Sequence, residues 1–457
     1  MFYIVETEEQ LQRLEGLGYL GCFADIITTN DNFHPALTDV VALYIRPLEE
    51  FIDPATQKPE GYVHGYIIPI NHNEGLCVSR DRAFRVLDHY SRIYTLDKKS
   101  MFYHYCGKTC NMVDLSILYS SVKYEQLELG VLNRTCNWYY NRYGGEANIN
   151  QIIPLSKLFE FRETVFEKVQ EIFSWEIKDN KAFIFYNEVF PKIYYLIESQ
   201  GIRVDVHSFI KMFNPLNPDF SIRGETVYGK FNLHNVTSRP TNSFNSVNFL
   251  AIPKGQEFRR CFKPRPGCKF VEMDYDGYHV RLVAKEIDYK LNLEERAHKQ
   301  LAKQYFGKSE ISDEEYMKAK QTNFRSIYGA IPDEYKHLEF FEKLDKYIKS
   351  LWKTFKVEGK IQNRWGKEFS ADLKNMNPVK LMNYLIQSIE TGRNVEILYK
   401  VLKYLKDKQS RIVLVTYDSF LIEWNEADGE EVLREIKKIM EKGGFPVHVK
   451  VSSDLNF

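Results

Sequence analysis

The chain has 457 residues, enough for two or three domains, and its 44% hydrophobic and 27% charged content is that of an ordinary globular protein. Its 62 basic and 62 acidic side chains cancel, which excludes a strong overall field toward nucleic acid but leaves room for local basic grooves. No run of 18 apolar residues argues for a membrane span, acids stand where a secretory signal needs an apolar core, and seven cysteines in this length do not suggest a disulfide framework; a cytoplasmic protein is expected.

Residues 1 to about 125 mix short apolar runs with turns. YLGCFADI, DVVALYI, GYIIPI and SMFYHYC read as strands, and SRDRAFRVLDHYSRIY as a helix between them, an α/β pattern. LSKLFEFRETVFEKVQEIF and YNEVFPKIYYLIESQG read as helices, the second ended by Gly201. Residues 213–230, rich in Pro, Asn and Gly, read as a connector. Beyond 256, strands alternate with long charged helices, and strands return at RIVLVTYDSFLIEW and FPVHVKVS.

The apolar run Cys268–Met273 ends in two carboxylates, Asp274 and Asp276. Such a DYDG stretch is either a surface turn or one half of a divalent-metal site. The metal reading needs another strand-borne acid, and Asp418 supplies it: Ile412–Thr416, a tight YDS break and a second apolar run read as a β-hairpin with Asp418 at its tip. Were the two strands neighbours, the pair could bind two divalent ions for phosphoryl transfer. Between them lies KAKQTNFRSIYG, where Lys320, Phe324 and Tyr328 share one helix face. That stripe is either core packing or a phosphate contact followed by two stacking rings.

Taken in order, these segments resemble the A family of DNA polymerases, that of bacterial DNA polymerase I, over roughly residues 225 to 457. TSRPTNSFNSVNFLAIP resembles the family's TGRLSS…PNLQNIP, keeping Thr237, Arg239, Asn248, Ile252 and Pro253. FRRCFKPRPGCKFVEMDYDGYHVRLVA resembles its motif A, KQTNFRSIYG its fingers helix, NRWGKEF its FGRRR, NYLIQS its NxxIQG, and VTYDSFLIEW its VHDELVFE. The resemblance implies that Asp274 and Asp418 are the catalytic carboxylates and hold two Mg²⁺ (Mn²⁺ as the alternative), with the Tyr275 carbonyl as a further ligand. It implies that Lys320 meets the incoming nucleotide's phosphates, Phe324 its sugar and Tyr328 the templating base. Arg239, Asn383, Gln387 and Arg281 fall on the DNA-binding set, with Arg239 and Gln387 at the primer–template minor groove and Arg281 closing motif A.

The departures are informative. His279 stands where the family has the glutamate that gates against ribonucleotides, and Ser419 and Tyr417 flank the second aspartate in place of glutamate and histidine. Tyr316 replaces a phosphate-binding arginine, and Arg325, in place of a glycine, is a candidate to restore that charge or a solvated helix residue. FADIITT and TCNMVDLSIL resemble the first two motifs of the family's 3′–5′ exonuclease domain, keeping Asp25 and Asp114 but placing Ile27 at an acidic ligand, which implies an inactive remnant. Only 31 residues separate Asp205 from Thr237, where the family inserts a long helical thumb.

The expected architecture is therefore α/β (α+β): an exonuclease-like, RNase H-like domain over 1–185, a reduced thumb or connector over 186–236, and a palm with antiparallel sheet plus helical fingers over 237–457. The implied activity is template-directed addition of dNTPs to a primer, with primer–template DNA as partner, a processivity factor as a further candidate, and no membrane. Such compaction suits a phage-type polymerase. An RNA-synthesising relative and a non-catalytic replication scaffold are the alternatives.

Overall fold

A computed structural model describes the chain except residues 1, 17–20, 49–64, 108–110, 130–136, 144–145, 178, 214–221, 244–245 and 254–256. The N-terminal part is built on a six-stranded sheet of β1 (Phe2–Ile4), β2 (Cys22–Thr28), β3 (Val40–Pro47), β4 (Gly65–Pro69), β5 (Ile93–Thr95) and β6 (Met112–Asp114), in the order β1-β4-β3-β2-β5-β6. The β3 strand runs antiparallel to its neighbours β2 and β4, whereas β5 and β6 lie parallel to β2. These strands are nearly continuous hydrophobic runs because both faces are covered. Leu11, Phe84, Leu87 and Tyr90 pack on one face. On the other lie Leu155, Leu158, Val165 and Val169 of α1 (Leu155–Val169).

One strand expectation fails here. The aromatic SMFYHYC run has strand propensity, but Asp97 caps Ser100 N and opens a helical turn over Lys98–Met101. That turn buries two lysines. Lys98 Nζ lies 2.7 Å from Glu188 Oε2, and Lys99 pairs with buried Glu198 while donating to Phe231 O at 2.7 Å. Glu198 ends α2 (Phe190–Glu198), so paired buried charges fasten the N-terminal sheet unit to α2 and to the strand at Phe231. Among the described residues, the segment between α2 and Thr237 contains one eight-residue helix, Val206–Phe213, and strands of two residues. The five cysteines among the described residues are free, and no helix of them is long and apolar enough to cross a membrane.

The C-terminal part carries an antiparallel sheet of β7 (Cys268–Tyr275), β8 (Arg411–Thr416), β9 (Ser419–Asn425) and β10 (Val447–Ser452), in the order β8-β9-β7-β10. Its helices are α3 (Tyr278–Glu286), α4 (Ala297–Phe306), α5 (Asp313–Tyr328), α6 (Glu339–Glu358) and α7 (Pro378–Leu405). A capping box opens α5: Ser312 and Glu315 each accept from the other's backbone N–H. One hydrophobic core joins the sheet to α2, α3 and α7 through Ile197, Val271, Val283, Ile386 and Ile422.

Candidate active site

β7 and β9 are paired antiparallel, with Asp274 opposite Ser419, so Asp418, one residue before Ser419 in the hairpin turn, comes beside the end of β7. Thr416 and Ser419 close a two-residue hairpin turn whose first residue, Tyr417, has φ 57°. A left-handed tyrosine persists where its surroundings over-determine it. Here Asn394 Nδ2 donates to Tyr417 O at 2.7 Å, and the Arg239 guanidinium lies 3.8 Å from the centre of its ring. Asp418 is thereby set in the turn, and Tyr275 N donates to its carbonyl at 3.1 Å.

The other acid of DYDG has a different role. Asp276 accepts from Ala297 N at 2.8 Å, pairs with Arg281 at 2.8 Å and faces His448 Nε2 at 3.5 Å. It thus anchors the start of α4. Gly277 comes next at φ 52°, where an added Cβ would come within 2.7 Å of Ala297 Cβ.

Asp274 and Asp418 line a cleft of about 330 Å³ with Lys320 and Phe324 of α5. Lys320 is exposed, and Phe324 keeps 37% of its surface exposed, so neither is a core residue. The Phe324 and Tyr328 rings are nearly parallel, with centroids 6.2 Å apart, and His298 lies 5.6 Å from Phe324. Burial pushes the His298 imidazole down to about 4, with the Lys320 charge adding to the effect.

Behind the cleft is a charged cluster on Glu390 of α7. Glu390 Oε2 lies 2.8 Å from Arg239 Nε and 3.1 Å from His279 Nε2, and the Tyr328 hydroxyl bonds His279 Nδ1. The Glu390 side chain is 1% exposed. Burial raises its carboxyl, but the charges of His279 and Arg239 outweigh burial and hold it below the usual carboxylate range. Asp418 goes the other way: burial raises it, and the negative charge of Glu390 raises it further.

The remaining sequence candidates divide. Tyr275 lines the cleft, with its ring buried and its hydroxyl donating to Met440 O. Asn383 Nδ2 donates to Tyr328 O at 3.2 Å, and Gln387 is half-buried on the same helix. Arg325 is exposed and is not among the residues lining the cleft; Arg296 lines it instead, 5.8 Å from the Tyr316 ring. Arg281 is buried, and its guanidinium is engaged by Asp276 and the carbonyls of Asn292 and Glu295. It is placed as an internal clamp. Glu390, Arg296, His298 and Asn394 escaped the sequence reading. Glu390 had a signal, an acid inside the apolar run LIQSIETGRNVEIL three residues beyond Gln387.

Asp25 and Asp114 do not line one cleft. Asp25 Oδ2 pairs with Arg162 Nε at 2.7 Å in a cleft also lined by Asp31 and Asp97, and Arg162 Nη2 donates to Asp31 at 2.9 Å. Asp114 is not among the residues lining that cleft; it is buried, capping Ile117 N and accepting from Lys98 N. Among the described residues no group of three or more His, Cys, Asp or Glu side chains is arranged as a metal cluster. The Asp274–Asp418 pair fits a divalent ion by its chemistry: two hard oxygen donors share one cleft, and burial without enough compensating positive charge disfavours the Asp418 carboxylate.

The fold is that of the polymerase domain of DNA polymerase I. The chain superposes on the POL domain of Pol1 from M. smegmatis, solved in complex with DNA primer-template and dNTP, with a TM-score of 0.67 and 14% identity over 99% of both chains. Over 252 residues it is 23% identical to the thermostable DNA polymerase I of Thermus caldophilus and, to the same degree, to that of Thermus thermophilus. Those matches cover 48% of this chain and 30% of the relatives, so it spans under a third of their length. No family model matches the chain.

Proposed function

We propose that this chain is a template-directed DNA polymerase that adds dNTPs to a primer 3′-end. The observation that carries this reading is the pair Asp274 and Asp418, one near the end of a strand and one in its neighbour's hairpin turn, lining one cleft with the Lys320–Phe324 stripe of a capped helix. Asp274, Asp418 and the Tyr275 carbonyl would hold Mg²⁺ or Mn²⁺, which when bound activates the attacking hydroxyl and stabilises the leaving phosphate. Lys320 offers an ammonium to the triphosphate, and Arg296, beside Tyr316, supplies the charge for which Arg325 was the candidate. Phe324 packs the sugar and Tyr328 sits at the templating base. Arg239 and Gln387 meet the primer–template minor groove, while Arg281 and Asp276 hold the scaffold beneath.

We read 237–457 as palm and fingers, 186–236 as a reduced thumb, and 1–185 as an exonuclease-like domain. The three antiparallel strands followed by two parallel ones support the last assignment. Arg162 supports its inactivity, because a guanidinium already pairs with Asp25 and Asp31. A reduced grip suits a phage-type enzyme working with a processivity factor.

Primer extension with dNTPs and rNTPs offered separately tests the reading. Template-dependent extension with dNTPs is expected. Better use of rNTPs would favour an RNA-synthesising relative, and no extension with either set would favour a replication scaffold.

A further inference from the structure

Resting on the polymerase reading, we infer that Glu390 is a positioning residue for sugar choice, holding His279 as a fixed wall against a 2′-hydroxyl. An imidazole has two polar atoms, and both are engaged here. Nε2 faces Glu390 Oε2 at 3.1 Å, and Nδ1 is bonded to the Tyr328 hydroxyl. Nε2 is the nitrogen that faces the carboxylate and Nδ1 the one that meets the phenol, whichever of them carries a proton. Both nitrogens are thus turned to protein partners rather than to the space a 2′-hydroxyl would enter.

Glu390 is too deeply buried to reach a nucleotide itself, and acts through its partners. The same carboxylate holds Arg239, which in turn covers the Tyr417 ring beside Asp418. His279, Tyr328 and Arg239 come from three separate segments, and Glu390 or its partner His279 is the shared contact that registers them. The cleft wall at 279 is therefore built by an acid on α7, which does not face the sugar.

The test compares the ratio of dNTP to rNTP incorporation efficiency in wild type, Glu390→Gln, His279→Ala and the double variant. Glutamine keeps the shape and removes the charge. Glu390→Gln is expected to lower the ratio by at least about tenfold, within the range that an ångström of misplacement costs in a preorganised site. The double variant is expected to match His279→Ala. A merely structural role for Glu390 would reduce both incorporations together and leave the ratio unchanged, which overturns the inference, as would additive effects in the double variant.

A turnover-free measurement separates this inference from the polymerase reading. The ¹⁵N spectrum of the wild-type His279 ring is expected to show both nitrogens hydrogen-bonded, and the Nε2 signal is expected to move in Glu390→Gln. A ring with a solvent-exposed nitrogen in wild type overturns the inference, even if Glu390→Gln fails to fold. Wild type that extends no primer sinks the polymerase reading alone, while the spectrum still reports on the pairing.

Discussion

Tyr275 N donates to Asp418 O at 3.1 Å, tying the end of one strand to the turn of its neighbour's hairpin. That bond continues the β7–β9 register past Asp274 and Ser419, so the approach of the Asp274 and Asp418 backbones is set by sheet geometry. Replacing either acid with its amide keeps this register and removes one metal-binding charge. Asp274→Asn and Asp418→Asn are expected to lower single-turnover incorporation by roughly 10²–10⁴-fold, the effect of several kcal/mol. Thermal melting is expected to be nearly unchanged, and near wild-type rates in either variant would remove the two-acid assignment.

The proposed triphosphate contact distinguishes two arginines. Arg296 lines the cleft and Arg325 does not. A charge-assisted hydrogen bond is worth about 1.5–3 kcal/mol. Arg296→Ala is expected to raise the KM for dNTP by about tenfold or more, with Arg325→Ala changing it less than about twofold. Steady-state kinetics on one primer–template pair decides between them, and the reverse order would restore Arg325 to the site.

No shortening of a 3′-labelled single strand is expected in Mg²⁺ or Mn²⁺. Arg162 pairs with both Asp25 and Asp31, and Asp114 is committed to a helix cap and the backbone of Lys98. Degradation that disappears in Asp25→Ala would show a working exonuclease.

Grip on the duplex is expected to be weak. The described residues between α2 and Thr237 provide one short helix where a long clamp would stand, and the chain has no net charge. Few additions per encounter and a steep loss of DNA binding with salt are expected. Long products from a single encounter, measured with a trap and no partner present, would point to another clamping element.

Acid should weaken the fold through His298. Its folded value of about 4 lies below the ordinary 6.5, so its contribution is complete above pH 6.5 and is lost as pH falls toward 4. The loss amounts to at most about 3 kcal/mol. His298→Gln is expected to flatten that part of the stability–pH curve, measured by denaturant unfolding. An unchanged curve would show that His298 is not an acid-sensitive element.

The local sequence determined the elements around the site. Apolar runs ending at Asp274 and flanking the YDS turn formed strands because their periodicity and turn residues leave few alternatives. The Ser312–Glu315 box and the i, i+4, i+8 stripe likewise specified α5 and the shared face of Lys320, Phe324 and Tyr328. Tertiary structure decided which polar groups meet. Nothing local distinguishes Asp276 from Asp274; both line the cleft, and packing of α4 against the strand end ties Asp276 to Ala297 N as an anchor. Nothing local separates Arg296 from Arg325, or marks Arg281 as buried. Glu390 reaches His279 and Arg239 across sequence separations of more than a hundred residues, and such partnerships come from the way helices and sheet pack, which residue spacing along one segment does not encode.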